Sequence, residues 1–493
     1  MTTHVSKLDR SSTSPSRLAN LWPYAAGVAV GGAALVLGTL EMRWTVYIMG
    51  AVLGGLVFLV VPDTQKLLMR SFVISLQADL CVRFMYGKAG SAGLALFLTS
   101  IIGVALAGHL FMTTRRSELI YAGQLKKPIA WFFITTILSL VTTNERFVGI
   151  TELFFCLQLY LVYWVTLNTI QTEDRLEEFV KLLFVCLAMQ SLVYFFQSAT
   201  GMTFTLTGKV IAEGEVPRPG GTVSTNPAGF ASFIIPILFI AVTRFVTVGA
   251  PMTFRSGLLV VMGIGALVLT VTRASWGAFV LGAMILVFLA IRRGVLRPRA
   301  LPAFAAAAFV LFLAAWPMMA MRLKTASVSD SYDERATLME IALRVIAAHP
   351  ITGVGAGAYP HTYKAYVGNT HGWLYTVHNE YLLRTAETGI PGGIAFVALI
   401  IASLRQALRV SRATAKSRTL WTLGLGWAAA LLGLCFEIYW DEWRGFTYNA
   451  VLWMMLALTE VAERLAGTAP QKKTQGTGST EISDGALGTP SVP

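Results

Sequence analysis

The sequence predicts an all-α polytopic membrane protein with about 12–14 transmembrane helices and one large extracytoplasmic loop containing short helices. Three observations predict it. The chain is 55% hydrophobic and only 13% charged, with a mean hydropathy of +0.63, whereas an ordinary soluble domain carries about a quarter charged residues. Apolar runs of about 17 to 22 residues recur from end to end, the length that spans a bilayer as helix. The net charge of +13 gathers in short clusters between those runs, where the positive-inside rule places it. Topology therefore accounts for the basic residues, and a nucleic-acid partner is not indicated. A β-barrel would show alternating segments of about ten residues instead, and in lipid the helix is the open-ended element that satisfies its own backbone polar groups.

Residues 1–20 are polar and basic and form a cytoplasmic N-terminal segment. The run from Leu21 to Leu40 is long for a signal-peptide core and lacks a small-x-small cleavage site, so it reads as a retained first span. Further spans fall at 44–61, 91–113, 128–142, 147–169, 178–199, 228–247, 257–272, 275–291, 301–321, 391–408, 420–440 and 445–462. A fourteenth, 71–87, is marginal because Asp79 and Arg83 interrupt it, and it also fits an amphipathic interfacial helix. Charge decides the parity. The basic N-terminus, the pairs Arg115, Arg116 and Lys126, Lys127, the group Arg292 to Arg299 and the group Arg405 to Arg418 all face the cytoplasm only if 71–87 crosses. That gives fourteen spans with both termini inside, divided as transmembrane helices 21–321, the loop 322–390, C-terminal helices 391–462 and a disordered cytoplasmic tail 463–493. The loop 200–227 and the turn at Arg273 then share the outer face with the large loop. Cys81, Cys156, Cys186 and Cys435 lie inside apolar segments with no C-x-x-C spacing and read as small core residues.

Within the large loop, Asp333 to His349 has helical periodicity in Leu338, Ile341, Ala342, Val345 and Ile346, and Pro350 stops it. A second helical stretch runs from His378 to Thr388. Between them, TGVGAGAY (Thr352 to Tyr359) invites an anion-binding reading, because glycines let backbone amides approach a phosphate. It lacks the G-K-[ST] ending and a preceding strand, so a tight turn is preferred.

His371 and His378 lie seven residues apart, but no H-E-x-x-H, cysteine pair or D-x-D motif accompanies them, so neither a metal nor another cofactor is expected. A histidine outside the membrane suits proton abstraction from a hydroxyl near neutral pH, set against a hydrogen-bonded structural role. Arg218, in VPRPGGTVSTNPAGF, and Arg273, in TVTRASWGA, stand where loops meet span ends on the same side. Arginine holds phosphate bidentately; an exposed loop cation and a snorkelling span-end residue are the plainer readings. Arg335 and Glu387 read as salt-bridge or capping groups, and Asp441, Glu442 and Arg444 as a solvated cap between spans.

The succession of the Arg218 loop, VTRASWGA, the run YDER from Tyr332 to Arg335, HPITGVGAGAY and VHNEYLLRTAETGIPGG resembles the O-antigen ligase and O-antigen polymerase superfamily of bacterial inner-membrane glycan transferases. The strongest stretch is His349 to Gly393, and the weaker arginine motifs extend it to roughly residues 180–460. The resemblance implies a metal-independent, GT-C-like inverting glycosyltransferase in the bacterial inner membrane, with its site facing the periplasm. It implies a glycan donor on undecaprenyl pyrophosphate and a lipid-linked glycan acceptor. His378 matches the family's essential histidine, and Arg218 and Arg273 match its pyrophosphate-facing arginines. His371, Arg335, Tyr359 and Asn379 complete the candidate set as substrate-contacting groups. Lipid A core would be the acceptor of a ligase and a second lipid-linked repeat that of a polymerase. The alternatives from other classes are a transporter of lipid-linked oligosaccharide without catalysis and a polysaccharide-anchoring scaffold; transporters tend to carry charges at mid-membrane, whereas here the candidates gather at one face.

Overall fold

The computed structural model describes residues 63–85, 93–121, 123–203, 219–248, 253–302, 328–368, 376–413 and 417–468, with scattered positions between 305 and 320. Leu68–Pro493 form one compact unit; a second, Met1–Leu67, is described only at residues 63–67. The elements begin with α1 (Thr64–Ser75), a hairpin of β1 (Cys81–Met85) and β2 (Leu94–Phe97), and α2 (Leu98–Thr113). The helices α3 (Lys126–Thr142), α4 (Arg146–Thr169), α5 (Glu173–Thr200), α6 (Pro227–Val246), α7 (Phe254–Leu269) and α8 (Arg273–Arg292) follow. The loop region contributes α9 (Val328–Ala348) and the short α10 (Tyr359–Thr362), and the chain closes with α11 (Glu380–Ala413), α12 (Arg418–Trp440) and α13 (Phe446–Thr468).

Six of these helices, α4, α5, α6, α8, α11 and α12, are long and apolar enough to cross a membrane, and α2 and α7 are shorter apolar helices. The chain is a multi-pass, all-α membrane protein, with one small β-hairpin among the described residues. The predicted spans 147–169, 178–199, 228–247, 275–291, 391–408 and 420–440 fall on those six helices. The predicted spans 21–40 and 44–61 lie outside the described residues, as does much of 301–321. Past the expected boundary at 462, α13 continues to Thr468, and the rest of the tail lies outside the described residues.

The segment 71–87 is neither a continuous span nor an amphipathic helix. After Ser75 the helix gives way, and Cys81–Met85 becomes a strand paired antiparallel with Leu94–Phe97. Side chains take over the backbone partners that a continuing helix would supply. Thr222 Oγ1 donates to the Gln77 carbonyl at 2.6 Å, the Asp79 amide donates to the Thr222 carbonyl at 3.0 Å, and Gln190 Nε2 donates to Thr222 Oγ1 at 2.6 Å. Gln158, buried in α4, finishes the β2 edge by accepting from the Phe97 amide at 3.1 Å and donating to the Ala95 carbonyl at 2.9 Å. The direction of travel nevertheless matches a crossing. Arg70 pairs with Glu178 near the start of α5, and Gln77 meets Gln190, so this short stretch follows α5 for about 18 Å at 1.5 Å per residue.

Helices α8, α11 and α6 pack around α12, whose buried residues include Trp427, with its indole N–H donated to Ser403 Oγ at 2.9 Å. Over one end of this bundle sits the loop region with its own core. The stripe Leu338, Ile341, Ala342 and Val345 of α9 is buried, as its periodicity predicts, and its last three residues join Val354, Tyr359, Tyr363, Val377, Leu383 and Ala386. Each large side chain there contributes about 1.5–3 kcal/mol by leaving water. The second helical stretch, predicted as His378 to Thr388, is the first part of α11, which breaks at Gly389 (φ 73°, ψ 175°) before Pro391. A Cβ at Gly389 would lie 2.2 Å from the Ile351 carbonyl oxygen, and the Ile390 amide is taken by the Pro350 carbonyl at 2.8 Å. The G-I-P-G run is thus the joint where the loop core meets the membrane helix.

Candidate active site

The glycine run is a tight turn. The amides of Gly353, Val354 and Gly355 donate to the carbonyls of His349, Ala386 and Glu387 at 3.1, 2.9 and 2.9 Å, and the Ala356 amide donates to Ser139 Oγ at 3.1 Å. With those donors spent on the loop's own fold, they are not available to cradle a phosphate. Gly353, at φ 68°, lies so close to Glu387 that a Cβ would stand 2.4 Å from its backbone.

What the turn braces is the start of α11, where His378 stands just before the helix. Asn379 caps that helix by accepting from the Leu382 amide at 3.0 Å, and it is 2% exposed. Behind it lies a chain of buried charges. Arg384 joins Glu380 at 2.6 Å and Glu152 of α4 at 3.1 Å. Glu380 also accepts from the Trp443 amide at 2.8 Å, which draws in the turn between α12 and α13. In that turn Arg444 pairs with Glu387 at 2.7 Å and Glu442 at 3.3 Å, and Glu442 accepts from Thr376 Oγ1 at 2.7 Å. Burial by itself would lower the Arg444 pKa, but the Glu387 and Glu442 carboxylates raise it and hold the guanidinium charged.

This network sets His378 beside the end of α12. Its Nδ1 is 3.7 Å from Asp441 Oδ1, a charge-pair separation longer than a direct hydrogen bond. The side chain remains 35% exposed, so the ring has access to solvent. The contact with Asp441 is the largest influence on its pKa and raises it above the ordinary imidazole value; burial and the Arg335 charge oppose the rise, and Glu442 adds to it. Arg335, from α9, lies with its guanidinium carbon 6.0 Å from the ring centre of Trp440. One cation, one histidine and two carboxylates from three chain segments therefore share a half-buried corner.

Arg273 is the first residue of α8 and has an exposed side chain without a carboxylate partner among the described residues. Just before it, Val271 adopts φ 49°, a left-handed conformation that is strained for a β-branched residue. One turn of α12 links this arginine's helix to the histidine. Glu437, fully buried, accepts from Ser275 Oγ at 2.6 Å near the start of α8, and Asp441 at the end of that turn faces His378.

Other predicted site residues stand differently. Tyr359 was expected to touch the glycan, but its ring is 0% exposed and stacks on Tyr363 with centroids 5.5 Å apart. Burial, with Tyr363 and Glu387 nearby, raises its pKa, which keeps the phenol neutral. Tyr359 belongs to the loop core and Asn379 to a helix cap, so neither is presented to a substrate in this conformation. Arg218 and His371 lie outside the described residues. The sequence reading of Asp441, Glu442 and Arg444 as a solvated cap is corrected: their side chains are 27%, 23% and 24% exposed, and all three are engaged with the His378 loop or α11. The clue in the sequence was the density of charge in DEWR between two apolar spans.

A family model described as O-antigen ligase matches residues 258–397. Over those residues the match bears out the resemblance to the O-antigen ligase and polymerase superfamily. It takes in Arg273, Arg335 and His378, while Arg218 precedes it and Asp441 follows it. No curated protein matches the chain.

Proposed function

We propose that this chain is a membrane glycosyltransferase that moves a glycan from undecaprenyl pyrophosphate to a hydroxyl of a lipid-linked acceptor glycan at the periplasmic face of the inner membrane. The acceptor is lipid A core for a ligase or a second lipid-linked repeat for a polymerase. The observation that carries this reading is the pairing of Asp441 with His378, a histidine within the segment matching O-antigen ligase, on the bundle end where α8 presents Arg273. The directed course of α1 along α5 supports the fourteen-span parity that puts this end outside, opposite the basic clusters.

With Nδ1 turned to Asp441, His378 has Nε2 left for the acceptor hydroxyl. The acceptor oxygen attacks the anomeric carbon as Nε2 takes its proton, and the bond from that carbon to the pyrophosphate oxygen breaks. Undecaprenyl pyrophosphate departs with the electron pair, and the anomeric configuration inverts. Asp441 stabilises the imidazolium that forms. Arg273, at the positive end of α8, and Arg218 meet the charge that grows on the leaving group, and Arg335 holds the glycan near the histidine. Arginines supply this charge without a divalent metal.

The pH profile tests these roles. The reaction needs neutral His378, whose pKa is raised by Asp441, so the acidic limb of transfer should titrate above the ordinary imidazole value of about 6.5. Asp441→Asn removes the carboxylate that favours the charged ring. The limb then moves to lower pH, and the plateau rate falls because the imidazolium loses its counter-charge. An acidic limb that stays in place in a folded Asp441→Asn variant would separate Asp441 from the histidine's titration.

A further inference from the structure

The end of the bundle opposite His378 gathers arginines more tightly than membrane topology requires. Arg244 closes α6, Arg293 caps α8, Arg412 lies near the end of α11 and Arg418 begins α12. Arg297 follows α8, its amide donating to the Val246 carbonyl at 2.8 Å. These side chains crowd one another. Arg418 lies within electrostatic reach of both Arg244 and Arg297, and Arg293 within reach of Arg412. Arg244 is forked onto Glu177 at 2.9 and 2.7 Å, whereas Arg418 spends its Nη2 on the Arg244 carbonyl. The Nε atoms of Arg244 and Arg418 are buried without an acceptor.

The positive-inside rule explains why this end is basic, but it does not explain packing cations together with unmet donors. Like charges dispersed in solvent would avoid both the repulsion and the desolvation. An anion with several acceptor oxygens offsets the repulsion, and guanidinium groups match phosphate geometry. We propose that the junction of α6, α8, α11 and α12 is a binding site for a phosphate-bearing anion. Arg293, Arg297 and Arg418 are half-buried and Arg412 is exposed, so the site is open to a ligand from the membrane surface, where an anionic phospholipid headgroup and free phosphate carry the same chemistry. This site stands independently of the glycan-transfer reading, because it lies at the other end of the bundle and is tested by binding alone.

The test uses the full-length protein, delipidated in neutral detergent, with unfolding temperature followed as phosphatidylglycerol, phosphatidylcholine or inorganic phosphate is added. Phosphatidylglycerol should raise it saturably and phosphatidylcholine should not. Arg293→Gln and Arg412→Gln should each weaken that binding roughly fivefold, the effect of one surface arginine on an anionic lipid, while Arg293→Lys retains it and Lys364→Gln in the loop changes nothing. Native mass spectrometry of phospholipid retained by each variant gives a second readout that does not depend on stability. A matching rise with inorganic phosphate supports the site with a free anion as its ligand; a rise with phosphatidylglycerol alone supports the lipid headgroup. Equal responses to the two lipids, or unchanged affinity in both glutamine variants, would overturn the proposal.

Discussion

His378→Ala is expected to slow glycan transfer by on the order of 10² to 10⁴, the size of a lost general base, while donor binding survives. The histidine stands at a solvent-open corner, 3.7 Å from Asp441, and among the described residues its side chain makes no hydrogen bond to the backbone of α11 or of the loop core. Truncation should therefore leave the fold in place, and insertion into the membrane, checked alongside, should match the wild type. Arg273→Lys tests the other half of the site. It keeps the charge and loses the planar fork, so it should impair turnover with a smaller effect than removal of the base. Wild-type turnover from a well-inserted His378→Ala protein would take the histidine out of the mechanism and favour the transporter or scaffold alternatives.

Arg384→Ala is expected to be the most damaging substitution to the fold. It strips the shared partner from Glu380 and Glu152, both held at hydrogen-bonding distance, and leaves two carboxylates facing each other in a buried site. Removing one member of a buried ion network costs about 3–5 kcal/mol, seen as a lowered unfolding temperature and reduced yield in the membrane. Because Glu380 also holds the Trp443 amide, the turn carrying Asp441 should loosen from His378 as well. The triple change Glu152→Gln, Glu380→Gln and Arg384→Met removes these three charges together and should be much milder. An Arg384→Ala protein as stable as the wild type would show that the network does not support the fold.

Elements with strong local signals were legible in the sequence. The α9 stripe announced itself through the period of Leu338, Ile341, Ala342 and Val345, and the break in α11 through G-I-P-G. His378 stood out by its motif, and Arg335 by the YDER run that it ends. The site's second half was not legible, because its partners are distant in sequence. Asp441 reaches His378, and Arg444 reaches Glu387, only after α11 and α12 have packed side by side. Hydropathy has no means of separating such a turn from a solvated cap. The segment 71–87 failed for a related reason: the groups that end α1, Gln190 and Thr222, lie on other elements. Tyr359, buried in the loop core, and Asn379, capping α11, show that a polar residue within a motif can serve the motif's fold.

The most direct measurement is transfer by the purified protein in liposomes, supplied with a labelled glycan on undecaprenyl pyrophosphate and an acceptor glycan, in excess chelator and without nucleotide. The expected result is labelled acceptor and free undecaprenyl pyrophosphate formed one for one, with inverted anomeric configuration and dependence on His378. Movement of intact donor across the bilayer with no labelled acceptor, or transfer that requires an added divalent metal, would contradict it.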